Sequence, residues 1–342
     1  MKAAFFESVG SVRLLEVEEP VIQREDEVKV RIVNTGICAS DVIGLLGGHP
    51  TRKPPVISGH ESAGVVAEVG KSVTDFQVGD RVVIEPQYSC GHCVACQMGR
   101  YNACTSKKVL GTVNWSGSFA EYITAPQQTL IHLPEEISFV VGALLEPLAV
   151  GIHAARLSRM AMGKTAVVIG CGPIGISCLQ GCRLAGAEKV IVVDIQEYNL
   201  QIAKEMGADH CIKGSGQTVI DQVMQLTHGF GADVVFVAVG FPAAIDNAIE
   251  MAAIGGQIMT LAHFGTMPPS FNITRFRWKE LSMQGTVMYT RKDYKICMDA
   301  LHKKIICPEP MVTKVFPVED CQEAFSLAQT RKEPYVKLMF SF

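Results

Sequence analysis

Six residues, Gly170-Cys171-Gly172-Pro173-Ile174-Gly175, follow the apolar run Thr165 to Ile169 and lead into a helical pattern from Pro173 to Ala185. A buried strand that breaks into glycines and reopens as a helix leaves few folds open. Gly170 permits the tight turn, Gly172 lets the backbone approach a pyrophosphate, and Gly175 lets the helix pack on the strand. The helix start at Pro173 and Ile174 offers free N–H groups and a partial positive charge to phosphates. Asp194 closes the next predicted strand, Lys189 to Asp194, where it can accept hydrogen bonds from the adenosine ribose. Its charge opposes an added 2′-phosphate, which favours NAD over NADP. The other reading is a glycine-rich turn with no dinucleotide, and the strand before, the helix after and the acid beyond weigh against it. Cys171 reads as a small apolar filler.

The alternation continues with a helix at Tyr198 to Met206, a strand at Asp233 to Val239, a helix at Ala243 to Ala253, and strands at Gln257 to Leu261 and Leu281 to Val287. Strands alternating with helices of this length predict a doubly wound parallel sheet, an α/β domain over 151–287. The first third is different. Short β-type runs, Lys2 to Phe6, Val12 to Val17, Glu27 to Asn34, Ala63 to Val69, Arg81 to Glu85 and Phe119 to Thr124, are separated by turn residues and predict an antiparallel barrel or sandwich over 1–150. After the alternation ends, a helix at Asp293 to Lys304 and strands at Thr313 to Pro317 and Val336 to Phe340 are expected to complete that first domain, from about residue 288 to 342.

With 342 residues there is room for two domains. A net charge of -3 and scattered basic pairs give no footprint for nucleic acid. The most apolar stretch, around Val140 to Ala155, is interrupted by Glu146 and Pro147, so no membrane span is expected, and Glu7 arrives too early for a signal-peptide core. The expectation is a cytoplasmic protein.

Cys90, Cys93, Cys96 and Cys104 stand with two, two and seven residues between them in a polar loop. That spacing matches a tetrahedral Zn(II) site with all four positions taken by sulfur, which leaves no place for substrate and reads as structural. A disulfide framework fits poorly. Most of the other eight of the twelve cysteines, among them Cys178, Cys182 and Cys297, lie in apolar or helical surroundings, as reduced thiols do.

A second, open metal site is suggested by Gly36-Ile37-Cys38-Ala39-Ser40-Asp41, by Gly59-His60-Glu61 and by Glu146-Pro147-Leu148. At these residues, at the cysteine loop and at the glycine fingerprint, over essentially its whole length, the chain resembles the zinc-dependent medium-chain dehydrogenase/reductase family, particularly its sorbitol, threonine and secondary-alcohol branch. The resemblance implies a GroES-like β-barrel catalytic domain followed by a Rossmann domain. It implies two zinc ions per chain, NAD(H) as cofactor, and Cys38 and His60 as ligands of the catalytic zinc, with Glu61 and Glu146 at the branch's carboxylate positions. A set of one thiolate, one imidazole and one or two carboxylates suits zinc and can leave a position for a substrate oxygen. Each residue alone also has an ordinary reading: a core histidine, a helix-start charge, an inert thiol.

By the same resemblance Asp41 orients the histidine ligand, and Ser40 passes the substrate's proton toward the nicotinamide ribose. The implied reaction interconverts a secondary alcohol and its ketone, with hydride going to the nicotinamide. Many relatives continue the proton relay with a histidine five positions after the zinc cysteine, where this chain has Ile43; His49 is a substitute to consider. Polyol-active relatives place polar groups after the first metal segment and an arginine near the last strand of the dinucleotide domain. Here Ile43, Gly44, Leu45 and Leu46 fill the first place and Met288 the second. Unsatisfied hydroxyls cost roughly 1 to 3 kcal/mol each, so a less polar or bulky alcohol is expected, with Trp115, Phe119 and Phe264 as further candidates for the pocket. A sugar-alcohol or sugar-acid dehydrogenase and a non-catalytic NADH-binding protein are the alternatives. A homodimer or homotetramer is implied by the resemblance.

Overall fold

The computed structural model describes residues 1–265, 268–269 and 271–342. Two compact units make up the chain: Met1–Glu146 with Val312–Phe342, and Pro147–Met311.

The spine of the first unit is the strand Glu27–Ile37. Its side chains alternate, with Val28, Val30 and Ile32 fully buried while Lys29 and Arg31 point away, as a period of two requires. One edge pairs antiparallel with Glu61–Val69. The other edge pairs with Tyr122–Pro126 at its beginning and with Lys337–Ser341 at its end. The sheet extends through Arg81–Ile84 to Leu130–His132 on one side and through Lys337–Ser341 to Val312–Pro317 on the other. A smaller sheet of Ser11–Glu16, Lys2–Ser8 and Val56–Ile57 stands apart from it. Phe119 packs edge-on against Phe325 and Phe340 at 5.7 and 5.3 Å, locking the late part of the chain onto the early part. This is the GroES-like domain expected.

In the second unit six parallel strands stand in the order His210–Lys213, Lys189–Asp194, Thr165–Ile169, Ala232–Val237, Ala252–Thr260, Ser282–Gly285. The order reverses on either side of Thr165–Ile169, so the crevice at its carboxyl end is a topological switch point of a Rossmann sheet. The inner strands are buried along almost their whole length, which is why they read as apolar runs. Strand His210–Lys213 and helix Gln217–Leu226 have no counterpart in the expected elements. An edge strand with Ile212 as its one buried side chain carries little hydrophobic signal.

Three expectations are corrected. Residues 288–311 go with the second unit, not the first. Asp293 of helix Arg291–His302 ties that segment to helix Phe139–Leu157, accepting from Arg156 Nε at 2.7 Å and lying 2.8 Å from His153 Nδ1. That helix itself runs without a break through Pro147. By length and composition it could cross a membrane, yet 78% of its apolar window is buried inside the fold. The helix expected at Ala243 to Ala253 stops at Met251, and the next strand starts at Ala252, well before Gln257.

Candidate metal centres and dinucleotide site

In the first unit the spine strand ends at Ile37, and Cys38 caps the short helix Ala39–Leu45. The capping acid is Asp41, whose Oδ2 accepts from the Cys38 N–H at 3.0 Å. His60 and Glu61 arrive at the start of the neighbouring strand, after a turn at Gly59. That glycine has φ +93°, and a Cβ there would lie 2.5 Å from the Phe119 ring. One ligand atom from each of Cys38, His60 and Glu61 falls within 4.8 Å of the others. Thiolate, imidazole and carboxylate so placed fit Zn(II).

Asp41 is fully buried and organises the cluster. Its Oδ1 accepts from Ser58 Oγ at 2.6 Å and from Gly59 N at 3.4 Å, and lies 3.5 Å from His60 Nδ1. Burial opposes its charge, but His60, Arg52 and Ser58 hold its carboxyl well below the ordinary range. With Nδ1 turned toward Asp41, Nε2 of His60 is left for a metal. Burial and Arg52 disfavour the imidazolium, while Asp41 and Cys38 favour it more, and the His60 pKa rises to about 10.

Glu61 has a partner that no motif foretold. Both its oxygens accept from Lys337 Nζ, which also donates to Ile37 O. Lys337 is buried, and although burial works against its charge, Glu61, Cys38 and Glu146 together raise its pKa. Glu146 is thus buried close enough to act on this lysine, outside the tight group of Cys38, His60 and Glu61. The available signal was Lys337 itself, a lone lysine inside the apolar strand Lys337–Ser341, because a buried lysine demands a counter-charge.

The sulfurs of Cys90, Cys93, Cys96 and Cys104 also lie within 4.8 Å of one another. Cys90 to Cys104, Cys93 to Cys96 and Cys90 to Cys96 measure 3.5, 3.6 and 4.0 Å. Sulfurs at the corners of a tetrahedron with zinc–sulfur bonds of about 2.3 Å would stand about 3.8 Å apart. The N–H groups of His92 and Cys93 stabilise the Cys90 thiolate and bring its pKa down to about 6.

In the second unit Gly170 has φ +93°, and a Cβ at Gly175 would lie 1.7 Å from Gly170 O. The helix Pro173–Leu184 therefore starts in close contact with the turn, with Pro173 at its first position, Ile174 next and Gly172 as its cap. A Cβ at Gly172 would meet nothing within 4 Å, which is the open approach a phosphate needs. Asp194 sits at the carboxyl end of its strand. Its Oδ2 accepts from Cys171 N at 2.6 Å and its Oδ1 from Gln196 N at 2.8 Å. Each oxygen keeps a further lone pair for a ribose hydroxyl, and the same carboxylate pins the glycine turn.

The pocket candidates separate. Ile43, on the helix that carries the half-buried Ser40, and Leu46, the residue that caps that helix, are exposed. Leu45 and Phe119 are fully buried in the core, and Trp115 Nε1 donates to Thr124 O. Phe264 packs on the core of the second unit, and Met288 takes a left-handed φ of +48°. His49 Nδ1 accepts from Thr51 N and Arg52 N, both at 3.2 Å, so it braces its own loop.

Residues 24–135 match the alcohol dehydrogenase GroES-like domain, and residues 173–303 the zinc-binding dehydrogenase domain. Sorbitol dehydrogenase of Bacillus subtilis (strain 168) is 33% identical, over 99% of this chain and 96% of its own length. A crystal structure of an Escherichia coli oxidoreductase/dehydrogenase of unknown specificity superposes with a TM-score of 0.94 at 32% identity, covering 99% of this chain and 98% of that one. The 2R,3R-butanediol dehydrogenase from Bacillus subtilis superposes with 0.90 at 30% identity, covering 100% and 99%. The fold and site define an oxidoreductase acting on CH–OH groups. The chain belongs to the zinc-dependent medium-chain alcohol and polyol dehydrogenase family.

Proposed function

We propose that the protein interconverts a secondary alcohol and its ketone with NAD(H), using one zinc ion held by Cys38, His60 and a carboxylate and a second, structural zinc ion held by Cys90, Cys93, Cys96 and Cys104. The observation that carries this reading is the convergence of Cys38, His60 and Glu61 within 4.8 Å, with Asp41 behind two of them. Zinc, when bound, supplies Lewis acidity toward the substrate oxygen. The chain's own residues do the rest. Asp41 sets the His60 tautomer and holds the Cys38 backbone, Lys337 balances Glu61 and Glu146, and Ser40 takes the hydroxyl proton onward. The substrate C–H gives its hydride to C4 of the oxidised nicotinamide, whose adenosine end Asp194 selects as NAD over NADP. A homodimer or homotetramer in the cytoplasm is part of the same proposal.

The exposed Ile43, on the helix that bears Ser40, and Leu46, which caps that helix, support a substrate of low polarity. A polyol is the second reading, favoured by the likeness to a sorbitol and a butanediol dehydrogenase. A screen of NAD reduction by zinc-loaded protein over polyols, diols, threonine and bulky apolar alcohols, with NADP as control, tests both. Turnover confined to polyols selects the second reading. Absence of turnover with every alcohol, at full zinc content, overturns the enzymatic assignment.

A further inference from the structure

We infer that Arg52 is a positioning residue for His60, joining the Asp41–His60 pair to the chain that returns from the four-cysteine lobe. The inference rests on the proposed metal role of Cys38, His60 and Glu61. Arg52 is 4% exposed. Its Nη1 donates to Leu110 O at 3.0 Å and Gly111 O at 2.8 Å, and stands 3.8 Å from Asp41 Oδ1. Ser58 Oγ repeats the link, 2.6 Å from Asp41 Oδ1 and 3.4 Å from Gly111 O. The space is closely fitted. A Cβ on Gly44 would lie 2.8 Å from Arg52 Cβ, and one on Gly111 would lie 2.8 Å from Arg52 Nη1.

Charge explains why an arginine is kept there although its buried Nε has no hydrogen-bond partner. Asp41 is a fully buried carboxylate, and a buried charge needs a counter-charge. Arg52 remains cationic throughout. Leu110 and Gly111 follow Cys104 closely, and the segment is closed by Leu110 N donating to Pro86 O and by the pairing of Gln87–Tyr88 with Lys108–Val109. The segment that returns from the cysteine lobe is therefore joined to Asp41 by the Arg52 guanidinium and by the Ser58 hydroxyl.

The test is cobalt exchange into the catalytic position of Arg52→Gln and Arg52→Lys, reading cobalt affinity, the cobalt absorption spectrum and thermal midpoint, alongside kcat and KM for NAD. Loss of a residue that orients a metal ligand typically weakens metal binding about 10- to 100-fold. Arg52→Gln is expected to weaken cobalt binding by at least about 10-fold and to lower kcat without raising KM for NAD. Arg52→Lys, with the charge but not the fork, should show a smaller loss. Both should keep metal in the cysteine lobe. If Arg52→Gln does not fold, the Lys variant decides, a shifted spectrum supporting the inference and an unchanged one overturning it. Parental affinity and spectrum in the Gln variant, or affinity loss that merely follows the thermal midpoint in both variants, would also overturn it. A parent protein that takes up metal only in the cysteine lobe would instead bring down the reading on which the inference rests.

Discussion

Lys337 Nζ lies 2.8 and 2.7 Å from the two oxygens of Glu61, and each side chain is only 2% exposed. Removing one partner of a buried ion pair costs about 3 to 5 kcal/mol because the other is left uncompensated. Lys337→Met should lose about that much in urea unfolding of metal-free protein, and less in zinc-loaded protein, where the ion offers Glu61 a replacement charge. Equal losses in the two forms would show that Glu61 does not face the metal.

Gly36 stands opposite Glu61 in the pairing of their strands, and a Cβ on Gly36 would come within 2.0 Å of Glu61 Oε2. Gly36→Ala is expected to push the carboxylate aside and to lower zinc content at the catalytic position while the cysteine lobe stays loaded. Metal analysis at stoichiometric zinc measures this; full content at both positions would argue against a ligand role for Glu61.

The two cysteine groups should separate by their failures. Cys93→Ser should lower stability or disturb assembly through its lobe, whereas Cys38→Ser should abolish turnover with the fold largely intact. Thermal midpoint and NAD-linked turnover, measured on both variants, decide; turnover by Cys38→Ser at the parental rate would remove the metal assignment.

Asp194, proposed to meet the adenosine ribose, holds Cys171 N in the glycine turn. Asp194→Ser should raise KM for NAD and narrow the gap between NAD and NADP, by an amount on the order of 10-fold for one lost charge-assisted hydrogen bond pair. A strong NADP preference in the parent protein would contradict the role given to this residue.

Asp293 is fully buried, and although burial opposes its charge, His153, Arg156 and Thr290 hold its carboxyl below the ordinary range. A depressed carboxyl contributes stability that is complete above its unfolded pKa of about 3.9 and is lost as pH falls from there toward the folded value. Unfolding free energy between about pH 5 and pH 2.5 should therefore fall less steeply in Asp293→Asn than in the parent, from a starting value lower by roughly 2 to 3 kcal/mol. Parallel slopes would exclude Asp293 as the source.

What could be read in advance was what neighbours in the chain determine. Gly170, Gly172 and Gly175 declare a turn, and four cysteines within one loop declare a shared ligand. The inner strands of the parallel sheet announce themselves because both faces are buried, while His210–Lys213 at the edge does not. Arg52, Ser58 and Lys337 stayed hidden for a different reason. Their roles arise from partners distant in the chain, 58 positions away for Arg52 with Leu110 and 276 for Lys337 with Glu61. Nothing local marks such a pairing, except that a lysine in an apolar strand must be explained.

The strand Lys337–Ser341 lies inside its sheet, between Glu27–Ile37 and Val312–Pro317. The residues that surround Cys38 are thus gathered from the beginning and the end of the first unit, with the whole of Pro147–Met311 strung between them as a loop. Closing a long loop is entropically slow to be rewarded. The second unit, by contrast, is continuous in sequence. Glu61 therefore gains its buried counter-charge only where the two ends of the first unit meet, from a lysine 276 positions away in the chain.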